Sequence, residues 1–168
     1  MLQPGSKAPE FVLPNEKGAD VSLIDMLEKG PLVLYFYPAD FTPGCTKEAC
    51  SIRDMHDDIL SVGLRIFGVS PQDAASHMKF KEKYELPFTL LSDPDKVAIK
   101  MYDVDGPFGV GVRRATYLIS QSAEIQAALQ ADVLINRHKE FIEKAIILRE
   151  TASMTASDAE QRYGDDSD

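Results

Sequence analysis

The stretch LVLYFYP, residues 32–38, runs seven positions without a charged residue or a polar alternation. A strand built from it has no wet face, so it needs apolar cover on both sides. Gly30-Pro31 and Pro38 bound it. A sheet with helices on both faces meets that requirement, and the rest of the chain supplies the parts. RIFGVS (65–70) and RATYLIS (114–120) read as further strands, as do FTLL (88–91) and EIQAAL (124–129). Ile52, Met55, Ile59 and Val62 recur at helical spacing before Gly63, which predicts one helix over 44–61. PQDAASHMKFKEKYE, after Ser70, predicts a second helix that ends before Leu86-Pro87. DKVAIKMY predicts a third, and NRHKEFIEKAIILRE a last one, with Phe141, Ala145 and Leu148 on one face and Ile142 and Ile146 beside them.

The expected class is α/β, with a central mixed β-sheet flanked by helices. The pair RATYLIS and AEIQAAL, joined through QS, adds an antiparallel component. The last stretch, TASMTASDAEQRYGDDSD, is small, polar and acidic, and has little to bury. A packed domain over 1–152 and a mobile tail over 153–168 are therefore expected.

At 168 residues the chain suits a single core. With 27 acidic against 18 basic residues the formal net charge is −9, which disfavours nucleic acid and anionic lipid as partners. No apolar run approaches the ~20 residues of a membrane span. MLQPGSKAPEF lacks the basic and apolar segments of a secretory signal, so the expected location is cytoplasmic.

The only two cysteines, Cys45 and Cys50, lie together in PADFTPGCTKEAC. In a reducing compartment a disulfide between them would be made and broken rather than kept. Cys45 follows a buried strand and opens a helix, where free N–H groups and the helix dipole favour a thiolate. Pro43 and Gly44 fit the turn into that helix, and Thr42 brings a hydroxyl near the sulfur. On composition alone, two small buried hydrophobes explain the pair equally well. Zinc needs roughly four ligands, and His56, His77 and His138 are scattered. The spacing is not that of a C-x-x-C dithiol motif. Five helical steps raise the second cysteine ~7.5 Å and turn it away, beyond the ~4.4–6.8 Å Cα separation of a disulfide. If the two bond, the helix opens first.

Pro38, Thr42, Pro43 and Cys45, spaced as P-x-x-x-T-P-x-C after a buried strand, resemble the active-site signature of the peroxiredoxins, and the continuation to Cys50 is similar to their Q-type, bacterioferritin comigratory subfamily. GSKAPEFVLPNEKGADVSL, FGVS, PFTLLSDPD and RRATYLI extend the likeness over most of the chain, and it fades in the C-terminal tail. The resemblance implies a thioredoxin-like fold and thiol-dependent reduction of hydrogen peroxide or organic hydroperoxides. It implies that Cys45 is the peroxidatic cysteine and Cys50 the resolving one, joined in an intramolecular disulfide that a thioredoxin-type reductant reopens. Thr42 would hydrogen-bond thiolate and peroxide, Pro38 would shield the site, and Arg114 would hold the thiolate charged. No metal, flavin or haem is implied, and the subfamily's habit points to a monomer.

Arg113 and Arg114 point to opposite faces of a strand, and Arg114 shares its face with Thr116 and Leu118. Lys47 and Glu48 read as an exposed first helical turn, His56 as structural or surface, and Asp40 and Phe41 as shaping the loop or lining the pocket. GPFGVG (106–111) reads as a flexible connection. SQSAEI at 120–125 departs from the acidic residue and glycine that relatives place there, which alters a hairpin turn and leaves the chemistry untouched. A protein thiol-disulfide oxidoreductase or a redox-sensing binding protein could also use a dithiol. Only a peroxidase needs Thr42 and Arg114 around the sulfur.

Overall fold

The computed structural model of the chain describes residues 1–163. In chain order the elements are β1 (Val12–Pro14), β2 (Asp20–Ser22), α1 (Leu23–Glu28), β3 (Leu32–Phe36), α2 (Pro43–Asp54), α3 (His56–Ser61), β4 (Arg65–Ser70), α4 (Ala74–Tyr84), β5 (Thr89–Ser92), α5 (Val97–Met101), β6 (Ala115–Ile119), β7 (Ile125–Gln130) and α6 (Asn136–Tyr163). A five-stranded sheet has the order β5-β4-β3-β6-β7, and β1 and β2 form a separate antiparallel pair. β3 is parallel to β4, β4 to β5, and β6 runs antiparallel to both β3 and β7. This is the mixed sheet the sequence predicts.

All five residues of β3 are buried. Leu32, Leu34 and Phe36 face a core closed by Leu23, Met26 and Leu27 of α1 and Ala98 and Ile99 of α5. Val33 and Tyr35, with Tyr37 beyond the strand end, face the opposite core, closed by Ile52, Ile59, Phe80, Ile142 and Ile146. The alternation that looks absent in the sequence is a period-2 division between two apolar layers.

The helix predicted over 44–61 is two helices. Met55 leaves helical geometry at φ −98° and ψ 0°, and α3 restarts at His56. The turn keeps Ile52, Met55 and Ile59 all in one core. Neither glycine nor proline announces it. The β1–β2 hairpin and α1 are too short to show a period in the sequence. Asn15 Oδ1 closes the hairpin by accepting from the N–H groups of Lys17 and Ala19, and Ser22 caps α1 by accepting from Asp25 N–H.

Helix α6 runs past the predicted helix end at Glu150 and continues to Tyr163. No glycine or proline interrupts residues 136–163, and Ala, Met, Glu and Gln favour helix. Residues 151–158 are exposed, in keeping with how little they have to bury. The remainder of the expected tail, 164–168, lies outside the described residues. Among the described residues no helix is long and apolar enough to cross a membrane.

Candidate active site

Cys45 stands in the first turn of α2, one residue after Gly44 and two after Pro43, with Thr42 as N-cap in extended conformation. Proline has no N–H, and Thr46 N–H makes the first intrahelical bond, to Thr42 O at 2.9 Å. The N–H groups of Gly44 and Cys45 are left without an intrahelical acceptor, so the sulfur sits at the positive end of the helix. Thr42 Oγ1 donates to Ala39 O at 3.1 Å and thereby ties the loop across itself. Gly44 is needed for closeness: a Cβ there would lie 3.2 Å from Arg114 Nη2 and 2.8 Å from Ile135 Cδ1.

Arg114 reaches this helix end from the residue just before β6. Its Nη2 donates to Cys45 Sγ at 3.2 Å, and its Nη1 is paired with Glu48 Oε2. The face assignment from strand alternation holds. Arg113, on the other face, is part-exposed and pairs with Asp132 at 3.3 Å. Burial works against the Arg114 charge, but the charges of Glu48 and Cys45 outweigh it and hold its pKa above the ordinary value.

Glu48 corrects the expectation of an exposed turn, although Lys47 beside it is exposed. Glu48 is buried, and burial raises its pKa to about 7 against the pull of Arg114. Its Oε1 has no hydrogen-bond partner and lies 3.8 Å from His138 Nδ1. That buried histidine is satisfied within the fold: Nε2 donates to Ala131 O at 2.8 Å, and Nδ1 lies 2.8 Å from Thr116 Oγ1. Burial lowers its pKa. Nothing in the order of residues marked Glu48 or His138 as interior, since charged and imidazole side chains usually stay wet.

Cys50 is free and partly exposed, while Cys45 is free and buried. They occupy one helix, five residues apart. Pro38 borders a cavity of about 220 Å³ together with Pro107, Val112, Asp132 and both Arg113 and Arg114. The GPFGVG connection is held in place rather than loose, since Lys96 Nζ donates to Asp105 Oδ1 and to the carbonyls of Gly109 and Gly111, each at 2.9 Å. Arg114 contacts the sulfur and also lines this cavity, whose wall combines proline, glycine and valine with Arg113 and Asp132. Among the described residues no three of His, Cys, Asp and Glu converge where they could hold a metal ion.

A thiol held at a helix N-terminus under a buried guanidinium, on a mixed sheet of this order, defines a thiol-dependent peroxidase class. The AhpC/TSA family matches residues 4–128. A Coxiella burnetii protein named as a peroxiredoxin bcp is 43% identical over 132 residues, which span 75% of this chain and 87% of that protein. Peroxiredoxin Q of Oryza sativa subsp. japonica, a chloroplastic protein, is 46% identical over 73% of this chain, but the match spans only 56% of the plant protein. The structure of peroxidoxin BcpB from Mycobacterium tuberculosis superposes with a TM-score of 0.82 at 29% identity, covering 88% of this chain and 98% of that one. A bacterioferritin comigratory protein of Xanthomonas campestris gives 0.75 at 28% identity, covering 82% and 90%. The chain belongs to the AhpC/TSA family, as a peroxiredoxin of the Q, or bcp, type with a thioredoxin-like fold.

Proposed function

We propose that this peroxidase reduces hydrogen peroxide and organic hydroperoxides through a two-cysteine cycle. The Cys45 thiolate attacks one oxygen of the O–O bond, becoming a sulfenic acid while the other oxygen leaves as hydroxide or alkoxide and takes up a proton. Cys50 then displaces water from that sulfenic acid, forming the intramolecular disulfide. A thioredoxin-type dithiol returns both sulfurs to thiols and is itself oxidised to a disulfide. Arg114 stabilises the sulfur's charge and the developing charge on the peroxide. Thr42 and Pro38, at the two ends of the loop before α2, orient the peroxide and keep water out.

The observation that carries this reading is the 3.2 Å bond from Arg114 Nη2 to Cys45 Sγ, made where the helix end leaves its N–H groups free. A resting core cysteine has no use for a buried guanidinium. The Xanthomonas protein is described by alkyl peroxide reduction activity, in line with the proline and valine in the cavity wall here. The same reading takes the protein as a cytoplasmic monomer with no nucleic-acid or membrane partner, in keeping with its net charge of −9.

The test is stoichiometric. The purified reduced protein should consume one equivalent of peroxide and lose both titratable thiols, and Cys45→Ser should consume none. A Cys45→Ser protein that keeps more than a trace of thiol-dependent turnover would place the nucleophile elsewhere.

A further inference from the structure

Behind the loop before α2 lies a second buried polar cluster that the peroxide chemistry does not use. Asp40 Oδ1 accepts from Tyr37 Oη at 2.7 Å, and its Oδ2 accepts from Ser76 Oγ at 2.8 Å. His77 Nδ1 lies 2.7 Å from the same Oδ2, and its Nε2 lies 3.1 Å from Leu91 O. The side chains of His77 and Asp40 are wholly buried.

A backbone carbonyl only accepts, so Nε2 carries a proton. A carboxylate already receiving two hydroxyls is an acceptor as well, so Nδ1 carries one too. His138 differs, because the threonine hydroxyl beside its Nδ1 is able to donate and one ring proton then suffices. Two opposite charges withdrawn from water are tolerated only when each is fully bonded, as these are.

The cluster grips a strained place. Phe41, next to Asp40, has φ +65°, a left-handed conformation that a bulky side chain seldom adopts. Its ring packs on Phe80 at 5.2 Å, and Lys83 lies over it. Helix α4 thus holds two consecutive residues of the loop, by charge and by aromatic contact. The loop begins at Pro38, beside the Arg114 cavity, and ends at Thr42, the N-cap of α2.

We propose that His77 is a positioning residue for the peroxide-binding loop: its ring donates from both nitrogens, to the Asp40 carboxylate and the Leu91 carbonyl, and so ties residues 38–42 to α4 and β5. The inference rests on the peroxide reading of the Cys45 site. His77 touches neither the sulfur nor the peroxide. It fixes where Pro38 and Thr42 stand, so its loss misplaces the peroxide without disarming the thiol.

Two measurements test this on the full chain. NMR correlation of ring nitrogens and protons in the reduced protein at neutral pH should show both His77 nitrogens protonated, and only Nε2 of His138. In a Cys50→Ser background, where Cys45 is the sole thiol, His77→Leu should slow the reaction with hydrogen peroxide by about ten- to a hundredfold. Alkylation of Cys45 by iodoacetamide should not slow. Asp40→Asn can donate its amide to Nδ1 while Nε2 still donates to Leu91, so it should retain more peroxide rate than His77→Leu and leave His77 with one ring proton. A singly protonated His77 in the unaltered protein, a folded His77→Leu reacting within about twofold of its parent, or peroxide and alkylation rates falling together would each overturn the proposal. If His77→Leu does not fold, the ring state and Asp40→Asn decide. Failure of the unaltered protein to consume peroxide would sink the functional reading instead, and the ring state would still be measured.

Discussion

Cys45 and Glu48, one turn apart on α2, share a single cation. Arg114 gives one guanidinium nitrogen to the sulfur at 3.2 Å and the other to the Glu48 carboxylate. Two sites for negative charge compete for one positive group out of reach of water, where electrostatic interactions are strong. The competition ties the charge environment of the thiol to a buried carboxyl group one turn away.

Arg114→Met should slow the reaction of the reduced protein with peroxide by about ten- to a thousandfold, the usual cost of losing one preorganised charge at an anionic centre. Arg113→Ala should change it by no more than about twofold, since Arg113 points to the other face and pairs with Asp132. Stopped-flow mixing with peroxide measures both. Greater sensitivity at Arg113 would assign the functional guanidinium to Arg113 instead.

Glu48 makes stability depend on pH in an unusual direction for a carboxyl group. Its folded pKa is raised from 4.5 to about 7 by burial, so between those values the native state holds a proton that the unfolded chain has released. The contribution is full below pH 4.5 and is lost as pH rises through about 7. Glu48→Gln, neutral at every pH, should lose less stability across that window than the unaltered protein. Urea midpoints on either side of the window settle it, and equal losses in the two proteins would assign the effect to other groups.

Disulfide formation should unwind α2 and stop at Met55. The turns from Thr42 to Asp54 keep the cysteines ~7.5 Å apart along the axis, beyond bonding reach. Their buried side chains are Cys45, Glu48, Ala49 and Ile52, of which Ile52 alone is large and apolar. That is more burial than the sequence of this turn suggests, yet little enough for local opening. Amide exchange should show loss of protection over 42–54 in the oxidised form, with α3 and β3 unchanged. Equal protection in both redox states, with the Cys45–Cys50 bond confirmed by mass, would defeat this account.

What could be read in advance was whatever followed from period and position. β3 was legible because an unbroken apolar run has only one way to be satisfied, and Arg114 because adjacent strand residues must face apart. Glu48 was not, because a glutamate in a first helical turn has the composition of a solvated face, and only the folded position of Arg114 changes that. His77 and Asp40 lie 37 positions apart, a distance at which nothing local signals a bond. The β1–β2 hairpin and α1 are too short for a period to show, and the break at Met55 is imposed by packing on both sides of it. The last turns of α6 lack the apolar stripe that marks the helix over 136–150, and intrinsic helix preference carries the backbone onward.

The central sheet works as a partition wall. Sulfur, guanidinium, Glu48 and the buried histidines lie on the side closed by α2, α4 and α6, while the other side, under α1 and α5, is largely hydrocarbon and aromatic ring. Because the reacting groups are confined to one compartment, the opposite one, away from Val112 where it meets the cavity wall, can be thickened, thinned or repacked with effects felt as heat resistance rather than turnover. Durability and chemistry in this fold can therefore drift separately, each on its own side of five strands.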